Sequence, residues 1–229
     1  IVTFEEKLLL IKQKINEAKK RSKYKNPIEI VAVTKTKPVD SIITAFNFGV
    51  KSIGENKVQE AEKKFQLIGD KTPGLIKRFI GHLQRNKVKK CVRIFDTIDS
   101  VDSLKLMRKI SNESKKINKK IQVLLEINTS EETQKKGFLI KNIEEVLLCL
   151  EEENVEIRGL MTMAPYTSDE GRIRQSFVSL RRFKKTIESY KGEGFIKELS
   201  MGMSGDYEIA IEEGATQIRL GTRLFGSRP

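Results

Sequence analysis

Histidine occurs once in the 229 residues, at position 82, and cysteine twice, at positions 91 and 149. A Ser-His-Asp or Cys-His site would have to use His82, and multi-histidine metal sites are excluded. Two widely spaced cysteines form neither a disulfide framework nor a metal-ligand cluster, so a reducing, cytoplasmic setting is expected. No apolar run approaches the ~18 residues of a membrane span. The longest, IEIVAVT and IQVLLEIN, are strand-length. No charged, apolar and cleavable segment opens the chain, so nothing indicates secretion. No Gly-x-Gly-x-x-Gly follows the first apolar run, which removes the main signature of a dinucleotide-binding sheet. No Pro/Gly/Ser-rich linker, repeat or low-complexity tract divides the chain, so one domain spanning residues 1–229 is expected.

Basic side chains are plentiful: 44 against 31 acidic ones give a net charge of +13. Such a balance attracts anions, whether phosphorylated small molecules, nucleic acid or an acidic membrane surface. The cations are spread along the chain, however, as in Lys19-Lys20-Arg21, Lys115-Lys116, Lys119-Lys120, Arg181-Arg182 and Lys184-Lys185. Most fall in amphipathic stretches with acidic residues interleaved, so they read as solvated helix faces. No nucleic-acid motif accompanies them, and neither nucleic acid nor membrane is expected as a partner.

Hydrophobic residues make up 38%, enough for a core. Leu8, Leu9, Ile11, Ile15 and Ala18 recur near helical spacing, predicting an opening helix over Phe4–Lys23 that Asn26-Pro27 stops. Eight strand candidates follow: Ile28–Thr34, Lys51–Glu55, Leu75–Ile80, Ile94–Ile98, Ile121–Asn128, Glu156–Met163, Lys197–Met201 and Thr216–Leu220. None contains proline. Helical patterns separate most of them: Asp40–Phe48, Val58–Ile68, Arg85–Cys91, Asp102–Ile117, Asn142–Glu153, Glu170–Tyr190 and Asp206–Glu213. Gly49, Gly69 and Gly214 stand at helix ends, and Ser100 and Asp102 are N-cap candidates. Eight strands alternating with helices predict an α/β fold, a single (β/α)8 TIM-type barrel with an extra N-terminal helix.

In such a barrel the functional groups follow the C-terminal ends of the strands. Lys35 leaves the apolar VAV at the barrel mouth. Partial desolvation and the nearby Lys37 would favour the neutral amine that a Schiff-base lysine needs, although a solvated lysine in a turn before Pro38 fits the same residues. Asn56 either hydrogen-bonds a ligand or caps the next helix. His82 either exchanges protons or is a bystander in a polar loop. After the seventh and eighth strands, Gly205 and Gly221 admit close backbone approach while Ser204 and Thr222 add hydroxyls. That pattern describes the common phosphate site of these barrels, although a pair of ordinary tight turns fits the same residues.

VAVTKTKP, IGENKVQEA, FIGHLQRNK, GLMTMAP, ELSMGMSGDYEIAIEEG and IRLGTRLFG occur in this order along nearly the whole chain. Together they resemble the motifs of the pyridoxal 5′-phosphate (PLP) homeostasis protein family, which is similar to the barrel domain of bacterial alanine racemases. The resemblance implies a monomeric, cytoplasmic PLP-binding barrel without established turnover, which buffers PLP or delivers it to recipient enzymes through transient contact. It places PLP as an aldimine on Lys35 and Asn56 near the cofactor, with Met163 lining the pocket. Ser200, Ser204, Gly221 and Thr222 would surround the phosphate, and Arg219 would face the pyridine nitrogen. An arginine there cannot accept the pyridinium proton, which weakens the ring as an electron sink. Lys77-Arg78 stands where the family often has an aromatic-His pair, which puts the geometry of the following loop in question.

The alternative reading is a PLP-dependent amino-acid racemase, with amino acids as further small-molecule partners. It needs a proton carrier on each face of the cofactor, and beyond Lys35 no strong second candidate stands out. The end of the chain at Pro229 is expected to leave no room for the racemases' C-terminal β domain. A Schiff-base aldolase of phosphosugars shares the phosphate loops but expects an acid/base set around a central-strand lysine, whereas Glu126, Asn128, Thr129 and Thr162 end those strands. Around Lys135-Lys136 a second PLP site and an ordinary surface both remain open.

Overall fold

The computed structural model describes residues 2–130, 132 and 135–226. Among these residues nine strands follow one another: β1 (Glu29–Val33), β2 (Ser52–Glu55), β3 (Ile76–Phe79), β4 (Thr97–Val101), β5 (Ile121–Asn128), β6 (Phe138–Leu139), β7 (Val155–Met161), β8 (Glu198–Ser200) and β9 (Gln217–Leu220). All pairings are parallel, and β4 pairs with β5 as well as β3, so every strand but the two-residue β6 joins one closed eight-stranded barrel. Around it lie α1 (Phe4–Arg21), α2 (Val39–Asn47), α3 (Val58–Ile68), α4 (Val88–Ile94), α5 (Leu104–Lys116), α6 (Ile143–Cys149), α7 (Glu170–Lys191), α8 (Tyr207–Glu212) and α9 (Thr222–Phe225). The predicted TIM-type barrel with its N-terminal helix is the observed fold.

The helices start and stop for local reasons. Thr3 and Glu6 form a reciprocal capping box on α1, and the helix buries Leu8, Ile11, Ile15 and Ala18. It packs on α8 and α9, and Arg21 Nε holds Glu212 at 2.6 Å. It ends at Arg21, with extended Ser22 as C-cap, before the proline is reached. Outside the sheet, Phe95 meets Phe65 and Phe79 edge to face, with centroids 5.3 Å apart in both pairs.

The interior of the barrel is polar at its lower end. Arg78 of β3 lies inside with Glu29 of β1 (3.1 Å), Asp99 of β4 (3.3 Å) and Glu198 of β8 (3.5 Å). Lys77, one position earlier, faces outward over the Phe65 ring at 5.1 Å. The unusual Lys-Arg pair therefore splits between the two faces of one strand, and β3 still runs into Gly81 at the mouth.

The fourth strand differs from its prediction. Ile94 ends α4, and β4 is Thr97–Val101, three residues later than expected. Apolar Ile94 and Phe95 belong to the helical layer, while the inward positions of the strand are Thr97 and Asp99, so hydrophobicity pulled the expected strand toward the helix. Ser100 consequently lies within β4, and the side chain that caps α5 is Ser103, which accepts from the Leu106 N–H. The four-residue α9 and the two-residue β6 were not anticipated.

Candidate binding site at the barrel mouth

Each predicted site residue lies at or beside the C-terminal end of the barrel, but they divide into two groups. Lys35 follows β1 and Thr34, half-buried. Lys37 reaches away toward α9, its Nζ 3.5 Å from the Phe225 carbonyl. Asn56 follows β2 and does not cap α3, whose N-cap is Lys57 without a side-chain bond. Its Oδ1 is buried with no hydrogen-bond partner among the described residues. Arg219, buried at the end of β9, donates from Nη1 to Ser200 Oγ (2.7 Å) and from Nη2 to the Thr162 carbonyl (2.9 Å). Three of the five guanidinium N–H groups are left over among the described residues. Burial holds Arg219 below its usual pKa, opposed by the negative charges of Asp99, Asp206 and Glu126.

The two loops predicted to hold a phosphate are neighbours. Ser204 and Arg223 join them: the Arg223 Nε donates to the Ser204 carbonyl at 3.1 Å, and its backbone N–H approaches Ser204 Oγ at 3.4 Å. The helices that follow, α8 and α9, have only six and four residues, so their dipoles add little and the donors are local. Among the described residues the backbone N–H groups of Ser204, Gly205 and Thr222 have no acceptor. A Cβ at Gly205 would meet nothing within 4 Å, so the space beside that loop is open, whereas one at Gly221 would be in ordinary contact with Val33 at 3.6 Å. Thr222 is exposed, while Ser200 is buried against Arg219 beneath them.

A cavity of about 490 Å³ opens between the ends of β3, β5, β7 and β8. Of the predicted residues it takes in Met163, along with Gly205 of the phosphate loop; Lys35, Asn56, Ser200, Ser204, Arg219, Gly221 and Thr222 are not on its wall. Its polar lining brings in His82 and Lys135, which the sequence left open between a role and an ordinary surface, and Glu126, which it placed at a strand end without assigning it a role. Glu126 is buried, and no side chain among the described residues hydrogen-bonds its carboxyl. Burial pushes it up to about 7, Asp102 adds like-charge repulsion, and Arg219 and Lys136 oppose the shift. His82 lies with Nδ1 3.3 Å from Asp102 Oδ2, which orients the ring. Lys135 Nζ is 3.4 Å from both Glu132 Oε2 and the Ala164 carbonyl. Glu126 had a signal in the sequence, a lone carboxylate inside the apolar LLEIN. The His82–Asp102 pair had none, because it joins two loops. Among the described residues no group of His, Cys, Asp or Glu is arranged to hold a metal ion.

Comparisons with known proteins agree with this architecture. The sequence model of the alanine racemase N-terminal domain matches residues 8–229. The chain is 37% identical over 225 residues to the pyridoxal phosphate homeostasis protein of Aquifex aeolicus, covering 97% of each chain. It is 34% identical over 227 residues to that of Escherichia coli, covering 96% of this chain and 95% of the relative. PipY of Synechococcus elongatus, solved with PLP bound, superposes with a TM-score of 0.86 at 31% identity over 98% of this chain and 100% of that one. An alanine racemase of Clostridium difficile shares the fold at 16% identity, with a TM-score of 0.70, and this chain spans 56% of it. The chain belongs to the alanine racemase N-terminal domain family and, within it, to the group of the pyridoxal phosphate homeostasis proteins.

Proposed function

We propose that this chain binds PLP at the mouth of its barrel, holds it covalently through Lys35 and serves as a carrier that takes up and releases it. The observation that carries the reading is the open cradle of backbone N–H groups at Ser204, Gly205 and Thr222, none with an acceptor among the described residues. Donors of that kind fit a phosphate dianion, and the buried, unpartnered Asn56 Oδ1 fits a hydroxyl or protonated nitrogen of the same ligand. Bound PLP supplies an aldehyde that captures primary amines and a ring that withdraws electrons from them.

The chain's own groups then have distinct tasks. Lys35 would hold PLP covalently through its amine. Ser204, Gly205, Gly221 and Thr222 hold the phosphate, and Met163 covers one side. Arg219 would hold the pyridine nitrogen with one of its remaining N–H groups. Ser200 and the Thr162 carbonyl fix its plane, so it is a positioned donor and not a proton acceptor. That arrangement favours storage over carbanion chemistry.

The remaining assignments follow from the same reading. The whole of 1–229 forms one domain, supported by α1 packing on α8 and α9 across the full length of the chain. It works as a monomer in the cytoplasm, where the buried free thiols of Cys91 and Cys149 stay reduced. Recipient apo-enzymes meet it transiently, and free amino acids compete with Lys35 for the aldehyde. The test is the visible spectrum of purified chain with added PLP, before and after borohydride, for the native sequence and Lys35→Ala. A yellow band reduced onto the Lys35 peptide, and absent from the variant, is expected. A chain that stays colourless with excess PLP rejects the reading.

One observation favours the racemase alternative. His82, oriented by Asp102, lines the mouth cavity and would supply the second proton carrier that a racemase needs. Chiral analysis of an amino acid incubated with the loaded chain decides between them. Turnover abolished by both Lys35→Ala and His82→Ala would replace the carrier by a racemase.

A further inference from the structure

Behind the Lys35 loop, between the barrel wall and α3, lies an ion cluster that the proposed binding role does not use. Lys64 of α3 sits with its side chain 9% exposed, and Glu55 at the end of β2 is fully buried. Lys64 Nζ donates to Glu55 Oε1 (2.8 Å), to Glu60 Oε1 (2.7 Å) and to the Thr34 carbonyl (2.8 Å). Glu60 Oε1 also accepts the Thr36 N–H at 2.7 Å, and the Thr34 hydroxyl donates to Glu55 Oε1 at 2.7 Å. One lysine and its carboxylates therefore tie down the carbonyl immediately before Lys35 and the amide immediately after it.

The cluster is poorly suited to stabilising the fold for its own sake. Burying charges costs several kcal/mol per ion unless every lone pair is answered, and Glu55 Oε2 has no partner among the described residues. Thr36 meanwhile holds φ at +63°, a region that a β-branched residue enters only when its surroundings force it. Burial alone would raise Glu60, but Lys64 and the Thr36 N–H together hold it below its ordinary value, so it remains a charged acceptor at neutral pH. The charges that bear the desolvation cost therefore bind the strained Thr36 amide and the Thr34 carbonyl, on either side of Lys35.

We infer that Lys64, acting with Glu60, is a positioning residue that fixes the backbone on both sides of Lys35 and so aims its amine into the mouth. The inference rests on Lys35 being the PLP-bearing residue. It predicts that Lys64→Met and Glu60→Ala capture PLP on Lys35 at least about tenfold more slowly, as expected when a reacting group is displaced by about an ångström. Glu60→Gln, whose amide oxygen still accepts from Thr36, retains close to the native rate.

The experiment measures two quantities on the full chain: the rate of the borohydride-trapped Lys35 adduct with PLP, well below the unfolding temperature, and the hydrogen-exchange protection of the Thr36 amide without PLP. A role confined to stability would lower the melting temperature and leave both unchanged. Folded Lys64→Met or Glu60→Ala protein with native capture rate and native Thr36 protection overturns the inference, as does Glu60→Gln falling to the rate of Glu60→Ala. Should Lys64→Met not fold, Glu60→Ala decides, because Glu60 lies at the edge of the cluster with 26% of its side chain exposed. If the native chain captures no PLP at all, the binding reading fails. Thr36 protection then still tests the clamp itself, and its persistence in both variants overturns the clamp.

Discussion

The two ends of the barrel are built from similar side chains and treat them in opposite ways. At the lower end Arg78 is enclosed by Glu29, Asp99 and Glu198, and Glu198 is held in turn by Arg158 Nε at 3.2 Å. Gln217, with its amide turned to satisfy both ends, accepts from Arg78 at 3.1 Å and donates to Ser200 Oγ at 2.7 Å. The charges there answer one another. At the mouth the Asn56 oxygen, the amides of the phosphate loops and the Glu126 carboxyl have no partner among the described residues. A buried polar group left without a partner costs on the order of 1–3 kcal/mol, so the Asn56 oxygen and the Glu126 carboxyl carry that cost, while the loop amides, exposed or half-buried, stand open to an incoming acceptor. The lower end is organised to fold, and the upper end is organised to receive a ligand.

Arg78→Met tests that contrast most severely. It leaves carboxylates buried without their cation and is expected to cost about 3–5 kcal/mol in urea unfolding of the ligand-free chain. Adding Asp99→Asn should restore part of that loss, since Asp99 is fully buried and burial already pushes its pKa up against the pull of Arg78. A double variant no better than the single one would mean that Arg78 contributes packing and not charge.

Glu126 gives the next largest effect, with the opposite sign. Its carboxyl titrates near 4.5 when unfolded and at about 7 in the folded chain. Between those values the folded state holds the extra proton, so stability falls as pH rises through the window, by up to about 3 kcal/mol. Glu126→Gln should match the native chain below pH 4.5 and be more stable by that amount above pH 7. Parallel stability curves for the two proteins would show that Glu126 is as well answered as the carboxylates below it.

How much of this was legible in the sequence depended on whether a residue acts through its neighbours in the chain or across space. β5 and α3 were read to the residue, because an eight-residue apolar run and an amphipathic helix carry their own pattern. β4 was displaced because its inward positions, Thr97 and Asp99, are polar for the sake of Arg78 on another strand. The mouth loops were visible as motifs, including Lys35, Asn56, Ser204 and Gly221. Lys64 was not singled out, since it follows Lys63, which is exposed, and nothing in the residue type separates them. Only its phase does: Ala61, Lys64 and Ile68 share the buried face of α3.

Arg219→Met should have a smaller effect than either. Two hydrogen bonds are lost, at about 1 kcal/mol each, but the desolvation that depresses its pKa is relieved. The net change in the ligand-free chain should be about 1 kcal/mol in either direction, alongside weakened PLP binding in an equilibrium titration. A destabilisation as large as that of Arg78→Met would erase the distinction between the two ends.

The smallest expected effect concerns backbone strain. Two non-glycine residues among those described have positive φ, Thr36 at +63° and Asn118 at +49°. Asn118 follows the end of α5, where a short polar side chain tolerates the left-handed region. Thr36 has no such excuse: it is β-branched, its side chain is exposed, and its amide is held by Glu60. Thr36→Asn keeps the amide and removes no packing, so it should stabilise the ligand-free chain by up to about 1 kcal/mol in chemical denaturation. A gain of that size would mean that the mouth stores strain as well as unanswered polar groups, and that the clamp on Lys35 is maintained against the preference of its own sequence. A neutral or destabilising result would confine the asymmetry between the two ends to their hydrogen bonds and charges, with Lys64 and Glu60 closing on a loop that already favours its shape.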